Sequence, residues 1–184
     1  MRSITVGIDI GTHSSRVIVG EYDTGERLPN VIGMGVAESR GLRHGYVTNK
    51  AEAEKSIRKA LSEAERTSKI KIRRAFASVG GLSLDSITGT GGAIISKADG
   101  EVTELDVKKA IAESEESLGA LQNRRILHTI PVKWKLDGKE VLGRPVGMHG
   151  VKLEIKTIFI TCLEHHLNDL VEVIEEAGVE VIDI

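Results

Sequence analysis

Three runs of β-branched and aliphatic residues crowd the first 36 positions: Ile4 to Ile10, Arg16 to Tyr22 and Val31 to Val36. The gaps between them, Gly11-Thr12-His13-Ser14-Ser15 and the stretch opening with Asp23-Thr24-Gly25, are rich in turn formers. A parallel connection needs about a dozen residues or more, so such short gaps require antiparallel neighbours. The chain therefore opens as a β-meander, and the elements that follow must cover it.

The loop Ser39-Arg40-Gly41-Leu42-Arg43-His44-Gly45 leads to a helix start, where Asn49 with Glu52 three residues on reads as a capping box. Ala53, Ile57, Ala60, Leu61 and Ala64 recur at helical spacing behind it. Ile72 to Val79 reads as a strand closed by Gly80-Gly81, and the intervening Lys69, Lys71, Arg73 and Arg74 as a solvated edge. A second group of elements follows. Leu84 to Ile87 and Ala93 to Ser96 read as short strands around a turn at Gly89-Thr90-Gly91-Gly92. Thr103 caps a helix with Val107, Ala110, Ile111 and Leu118 on its apolar face. Ile126 to Leu136 and Lys152 to Ile160 are long strand patterns, with a turn at Asp137-Gly138 behind the first. The last helix carries Leu163, Leu167, Leu170, Val171, Ile174 and Ala177, stops at Gly178, and gives way to a strand from Val179. No internal repeat, heptad array or low-complexity tract is visible.

Composition narrows the function. Hydrophobic residues make up 40% and charged residues 28% of the 184, the balance of a soluble globular protein. Aromatics are 3%, so Val, Ile, Leu and Ala must build the core. A net charge of -2 speaks against nucleic acid, which asks for a basic stripe. The lone Cys162 allows no internal disulfide, follows the apolar run Ile158 to Ile160, and points to a buried thiol in a cytoplasmic, reducing compartment. Neither a signal peptide nor a run of about 20 apolar residues occurs, so this segment is expected to hold no membrane anchor.

The most chemical segment is Gly7-Ile8-Asp9-Ile10-Gly11-Thr12-His13-Ser14-Ser15-Arg16-Val17. A carboxylate ends one strand, Gly-Thr makes a tight turn, and a second strand begins. Backbone amides in such a turn can converge on a phosphate, and Asp9 can hold a hydrated Mg²⁺ beside it. Thr12, Ser14 and Ser15 offer hydroxyls and Arg16 a counter-charge. The segment is neither a Walker A loop nor a dinucleotide fingerprint. Read alone, it fits an ordinary hairpin about as well as a phosphate turn.

Asp9-x-Gly11-Thr12 between two strands resembles the first phosphate loop of the actin, Hsp70 and sugar-kinase superfamily. Within it, the chain resembles FtsA, a bacterial cell-division family. Three stretches carry that resemblance: Ser39-Arg40-Gly41 with His44-Gly45, Arg125-Ile126-Leu127-His128-Thr129-Ile130-Pro131, and Arg144-Pro145-Val146-Gly147-Met148-His149-Gly150-Val151-Lys152-Leu153-Glu154. Glu175-Glu176-Ala177-Gly178-Val179-Glu180 resembles the return into the first subdomain. The resemblance implies an α/β fold with an α+β insertion: an incomplete actin-like (ribonuclease H-like) subdomain at residues 1–83 and 162–184, and an inserted β-α-β SHS2 subdomain at 84–161.

It also implies a role. Full-length relatives bind ATP with Mg²⁺, polymerise like actin, tether the FtsZ ring at the cytoplasmic face of the inner membrane, and recruit later division proteins to the septum. By that likeness Asp9, Gly11, Thr12, His13, Ser14 and Arg16 form a partial phosphate loop. No Asp-x-Gly-Gly-Gly loop or adenosine pocket occurs within residues 1–184, so weak or no ATP binding and no enzymatic activity are expected. Self-association and division-protein contacts would fall to the inserted subdomain. The rival readings are a PilM-like pilus-assembly scaffold and a truncated actin-fold ATPase or kinase.

Other clusters read as structural. His165 and Asp169 stand one helical turn apart with His166 adjoining, a spacing that suits a metal, but both histidines flank the apolar stripe and read as a surface pair. His128 reads as structural or edge-exposed, and Glu113, Glu115 and Glu116 as a solvated helix face, with a partner-binding face as the alternative. Trp134, between Lys133 and Lys135, fits a core lid or a sticky edge equally.

Overall fold

The computed structural model describes residues 3–23, 25 and 27–184. Of the turn expected at Asp23-Thr24-Gly25, Thr24 lies outside the described residues. The chain divides into two compact units, 1–83 with 164–184, and 84–163.

In the first unit the opening meander is β1 (Ser3–Ile10), β2 (Ser14–Tyr22) and β3 (Asn30–Glu38). Both pairings are antiparallel, as the short gaps require. A small hairpin, β4 (Leu42–Arg43) with β5 (Tyr46–Val47), precedes α1 (Lys50–Ser68). The Asn49 side chain accepts a hydrogen bond from the Glu52 amide at the head of α1. β6 (Arg74–Ser78) then joins β1 in parallel. After the second unit's sequence, α3 (Glu164–Glu176) leads into β11 (Glu180–Asp183), which pairs in parallel with β6. Among the described residues the sheet runs β11-β6-β1-β2-β3.

One face of this sheet is buried. Val6, Ile8, Ile10, Val17 and Val19 meet Ile57, Ala60 and Ala64 from α1, and Leu170, Val173 and Ile174 from α3. The stripe of α3 differs from expectation: His166 and Val173 are buried, Val171 is only half-buried, and Leu163 ends the preceding strand instead. The other face stays open. Phe76 and Ile18 both pair with Gly7, Ile18 pairs with Met34, and these three side chains remain 46%, 44% and 52% exposed.

The second unit contains β7 (Asp85–Ile94), α2 (Glu104–Glu116), β8 (Arg124–Leu136), β9 (Lys139–Val141) and β10 (Lys152–Leu163). Its sheet runs β7-β10-β8-β9 among the described residues, and the pairings are antiparallel. The two short strands expected around a glycine turn are one continuous strand, β7. Gly89 and Gly91 do not bend it; they let α2 lie against it. A Cβ on Gly89 would meet the Ser114 carbonyl oxygen at 2.1 Å, and one on Gly91 the Ser114 nitrogen at 2.3 Å. Glycine at these sites trades strand propensity for a close approach of helix to strand.

Thr103 caps α2 in a reciprocal box with Asp106. The core beneath is Val107, Ala110, Leu153, Ile155 and Trp134, which settles the Trp as a core residue. The stretch from Arg144 wraps the head of α2. Arg144 reaches the Glu104 carboxylate at 2.5 Å, and the Gly147 amide and Met148 carbonyl bond both sides of Val102. Asp137, at the turn after β8, accepts the Val151 and Lys152 amides, and those bonds hold its carboxyl below the usual range.

Candidate functional site

The hairpin between β1 and β2 places its residues by the alternation of a strand. Asp9 and Arg16 sit directly opposite each other on the open face of the sheet, with an ion pair at 3.9 Å. Parallel pairing with β6 sets Ser78 beside Asp9, and the Ser78 hydroxyl donates to Asp9 Oδ1 at 2.7 Å. In the turn, the Gly11 amide donates to the Ser14 carbonyl at 3.1 Å. A phosphate at this turn would therefore have to draw its amide donors from Thr12 and His13.

The Thr12 hydroxyl accepts from the Gly45 amide at 3.1 Å, which leaves its own hydrogen to donate. That bond ties the turn to the β4–β5 hairpin and helps shape a cavity of about 350 Å³. Asp9, Gly11 and Thr12 form one wall, and Ser78, Gly80, Gly81 and the His44-Gly45 loop form the other. Gly45 and Gly81 have φ of 85° and 104° and touch backbone to backbone, since a Cβ on Gly45 would come within 2.7 Å of Gly81 Cα. His13, Ser14 and Arg16 lie outside this wall. Ser15, read from the sequence as a hydroxyl donor for phosphate, is fully buried and bonds Ser39 at 2.9 Å.

His166 is the residue that sequence reasoning misplaced. It is not on the surface but 1% exposed, stacked on Tyr46 with ring centroids 4.4 Å apart. Its Nε2 meets the Gly45 carbonyl and its Nδ1 the Ser83 hydroxyl. A carbonyl can only accept, so Nε2 carries its hydrogen, and α3 thereby anchors the loop that walls the cavity. The signal was present: His166 stands at helical spacing to Leu170 and Val173.

The other clusters do not build a site. His165 is exposed, and Asp169 pairs with Lys50 at 2.9 Å. Asp169 and Glu172 together hold the Lys50 ammonium well above its ordinary pKa. Among the described residues no group of three or more side chains is placed to hold a metal. Cys162 is buried, which pushes its thiol up against the lowering effect of Arg124 and Arg125. His128 is exposed on β8. Among the described residues no helix is long and apolar enough to cross a membrane.

Comparison with known proteins shows what this chain is similar to. Residues 81–161 match the family model described as the SHS2 domain inserted in FTSA. The cell division protein FtsA of Pseudomonas aeruginosa is 32% identical over 97% of this chain and 42% of its own length. FtsA of Bacillus subtilis is 34% identical over 97% of this chain and 40% of its own length. The chain thus spans about two fifths of the relatives it matches. A chain of the PilM-PilN type IV pilus biogenesis complex superposes with a TM-score of 0.63 at 12% identity, covering 98% of this chain and 46% of that one. At that identity the superposition speaks for the fold alone, an actin-like one. Residues 81–161 are therefore similar to the SHS2 domain inserted in FtsA, and the chain as a whole is similar to the first part of FtsA proteins.

Proposed function

We propose that this chain serves bacterial cell division as an interaction module, with the SHS2 unit making the contacts. The observation that carries this reading is the match of residues 81–161 to the SHS2 domain of FtsA, in a chain similar to FtsA over 97% of its length. In the same proposal the FtsA-type role comprises tethering of the FtsZ ring at the cytoplasmic face of the membrane, actin-like polymerisation, and recruitment of later division proteins. The SHS2 unit supplies the contacts to self and partner.

The Asp9-Gly11-Thr12 turn, with His13, Ser14 and Arg16 around it, is proposed as one half of a phosphate clamp for ATP and Mg²⁺. The residue types suit such a clamp, because the Asp9 carboxylate is a hard oxygen ligand on the cavity wall and Thr12 has a hydroxyl hydrogen to donate. A nucleotide held from one side leaves most of its surface in water, so weak or no binding by residues 1–184 belongs to this reading. No catalytic role is proposed.

A fluorescent fusion of the chain, expressed in dividing Bacillus subtilis, tests the proposal. Enrichment at division septa is expected; uniform fluorescence through the cell would contradict it. Calorimetric titration with Mg-ATP tests the second part, with no saturable heat expected up to millimolar ligand.

A further inference from the structure

We propose that the open face of the β7-β10-β8-β9 sheet binds an acidic, extended segment of a partner protein, a reading that rests on the interaction-module function above. Strand alternation sends Leu153, Ile155 and Trp134 into the core and leaves Lys152, Lys156, Lys133 and Lys135 on the other side. The register sets Lys133 directly opposite Lys156. Like charges in that relation oppose the pairing of their strands. Such a local conflict, on a face that the fold does not otherwise use, marks a surface awaiting an anionic partner.

Ion pairs engage two of the four lysines, and the register sets Lys135 between Glu140 and Glu154. Glu140 pairs with Lys133 at 2.5 Å and Glu154 with Lys152 at 3.1 Å. Lys135 and Lys156 have no ion pair among the described residues. Beside them Gly92, opposite Glu154, contributes no side chain, and a groove of about 720 Å³ opens between these lysines and the Thr90–Ile94 segment. Ile94, 66% exposed, gives the rim an apolar contact.

The edge of β7 beside this groove is closed to strand addition. The Thr90 amide donates to Ser117 Oγ at 3.2 Å and the Gly92 amide to Glu113 Oε2 at 2.8 Å. A partner must therefore lie across the face and be recognised by its side chains, with carboxylates meeting Lys135 and Lys156. The carboxylates of Glu113 and Glu154 in the same groove favour a peptide, which can place its charges between them, over the uniform negative field of an anionic membrane.

The test uses the full chain and three probes: a labelled peptide of alternating Glu and Thr, its Gln-for-Glu analogue, and phosphatidylcholine vesicles with and without phosphatidylserine. Binding of the Glu peptide by fluorescence anisotropy is expected, with amide shifts on β7, β8 and β10. Lys135→Glu with Lys156→Glu is expected to weaken it by about tenfold or more while the circular-dichroism spectrum stays that of the folded chain. Lys108→Glu with Lys109→Glu, the same charge change on the exposed face of α2, is expected to leave binding intact. Equal loss in both variants, no binding, equal binding of the Gln analogue, or preference for the phosphatidylserine vesicles would overturn the proposal. Septal localisation without peptide binding sinks the acidic partner alone. Peptide binding without localisation sinks the division reading alone.

Discussion

The edge strand of each unit is guarded by the helix that follows it, and the two guards match position for position. In the first unit Gly33 and Gly35 bring β3 against α1, where a Cβ on Gly35 would lie 1.9 Å from the Ala60 carbonyl oxygen. In the second, Gly89 and Gly91 do the same for β7 and α2. The outward amides of Met34, Val36 and Arg40 then donate to side chains of Thr67, Glu63 and Ser56. Those of Thr90, Gly92 and Ser96 donate to Ser117, Glu113 and Asp106. The spacings along strand and helix are the same in both sets.

An edge strand with free amides templates aggregation, and a helix carrying acceptors at the right spacing satisfies them without another strand. The units differ at the third acceptor. Ser56 is a neutral hydroxyl, whereas Asp106 is a buried carboxylate that also closes the capping box of α2. Burial pushes the Asp106 carboxyl up, but hydrogen bonds from Thr103 and Ser96 outweigh that and hold it at about 2.

The comparison breaks most readily at the glycines. Gly35→Ala and Gly91→Ala should each cost about 3 kcal/mol in urea denaturation, because backbone, not a flexible side chain, blocks the new methyl. A tolerated Gly91→Ala would show that the two guards are not equivalent. Next comes the third acceptor: Asp106→Ala should cost about 2 kcal/mol, having lost a cap and an edge acceptor, against about 1 kcal/mol for Ser56→Ala.

Acid sharpens the difference further. With its folded pKa depressed from the ordinary 3.8 to about 2, Asp106 contributes stability above its unfolded pKa that is lost as pH falls through the folded one. Fluorescence of Trp134, in the core of the second unit, should report this loss between those two values, and Asp106→Asn should flatten that dependence. The smallest effect belongs to Lys50→Ala. Its pairs with Asp169 and Glu172 are exposed, so the thermal melt should barely move.

Much of the fold could be read from periodicity. The meander, the Asn49 and Thr103 caps and the apolar face of α1 follow from residue pattern alone. Glycine was the ambiguous letter. Gly89 to Gly92 reads as a turn because glycine is common there, yet here it makes room for a helix that only the tertiary structure brings near. The matched guards are hidden in the sequence for a related reason, since Ser56 and Asp106 share a position but not a residue type. At the cavity, Asp9, Gly11 and Thr12 are close in sequence and so legible together. Ser78, Gly80 and Gly81 reach the same cavity through the parallel β1–β6 pairing, and His166 steadies its wall from α3, relations that no local pattern displays.

In the proposed function, contacts made by the second unit, rather than the phosphate turn, carry the role of this chain. Septal localisation of three fluorescent forms tests it most directly: the unaltered chain, Lys135→Glu with Lys156→Glu, and Asp9→Ala with Thr12→Ala. A septal band is expected for the first and third and its loss in the second. A band that survives the lysine reversals and disappears with Asp9 and Thr12 would contradict it.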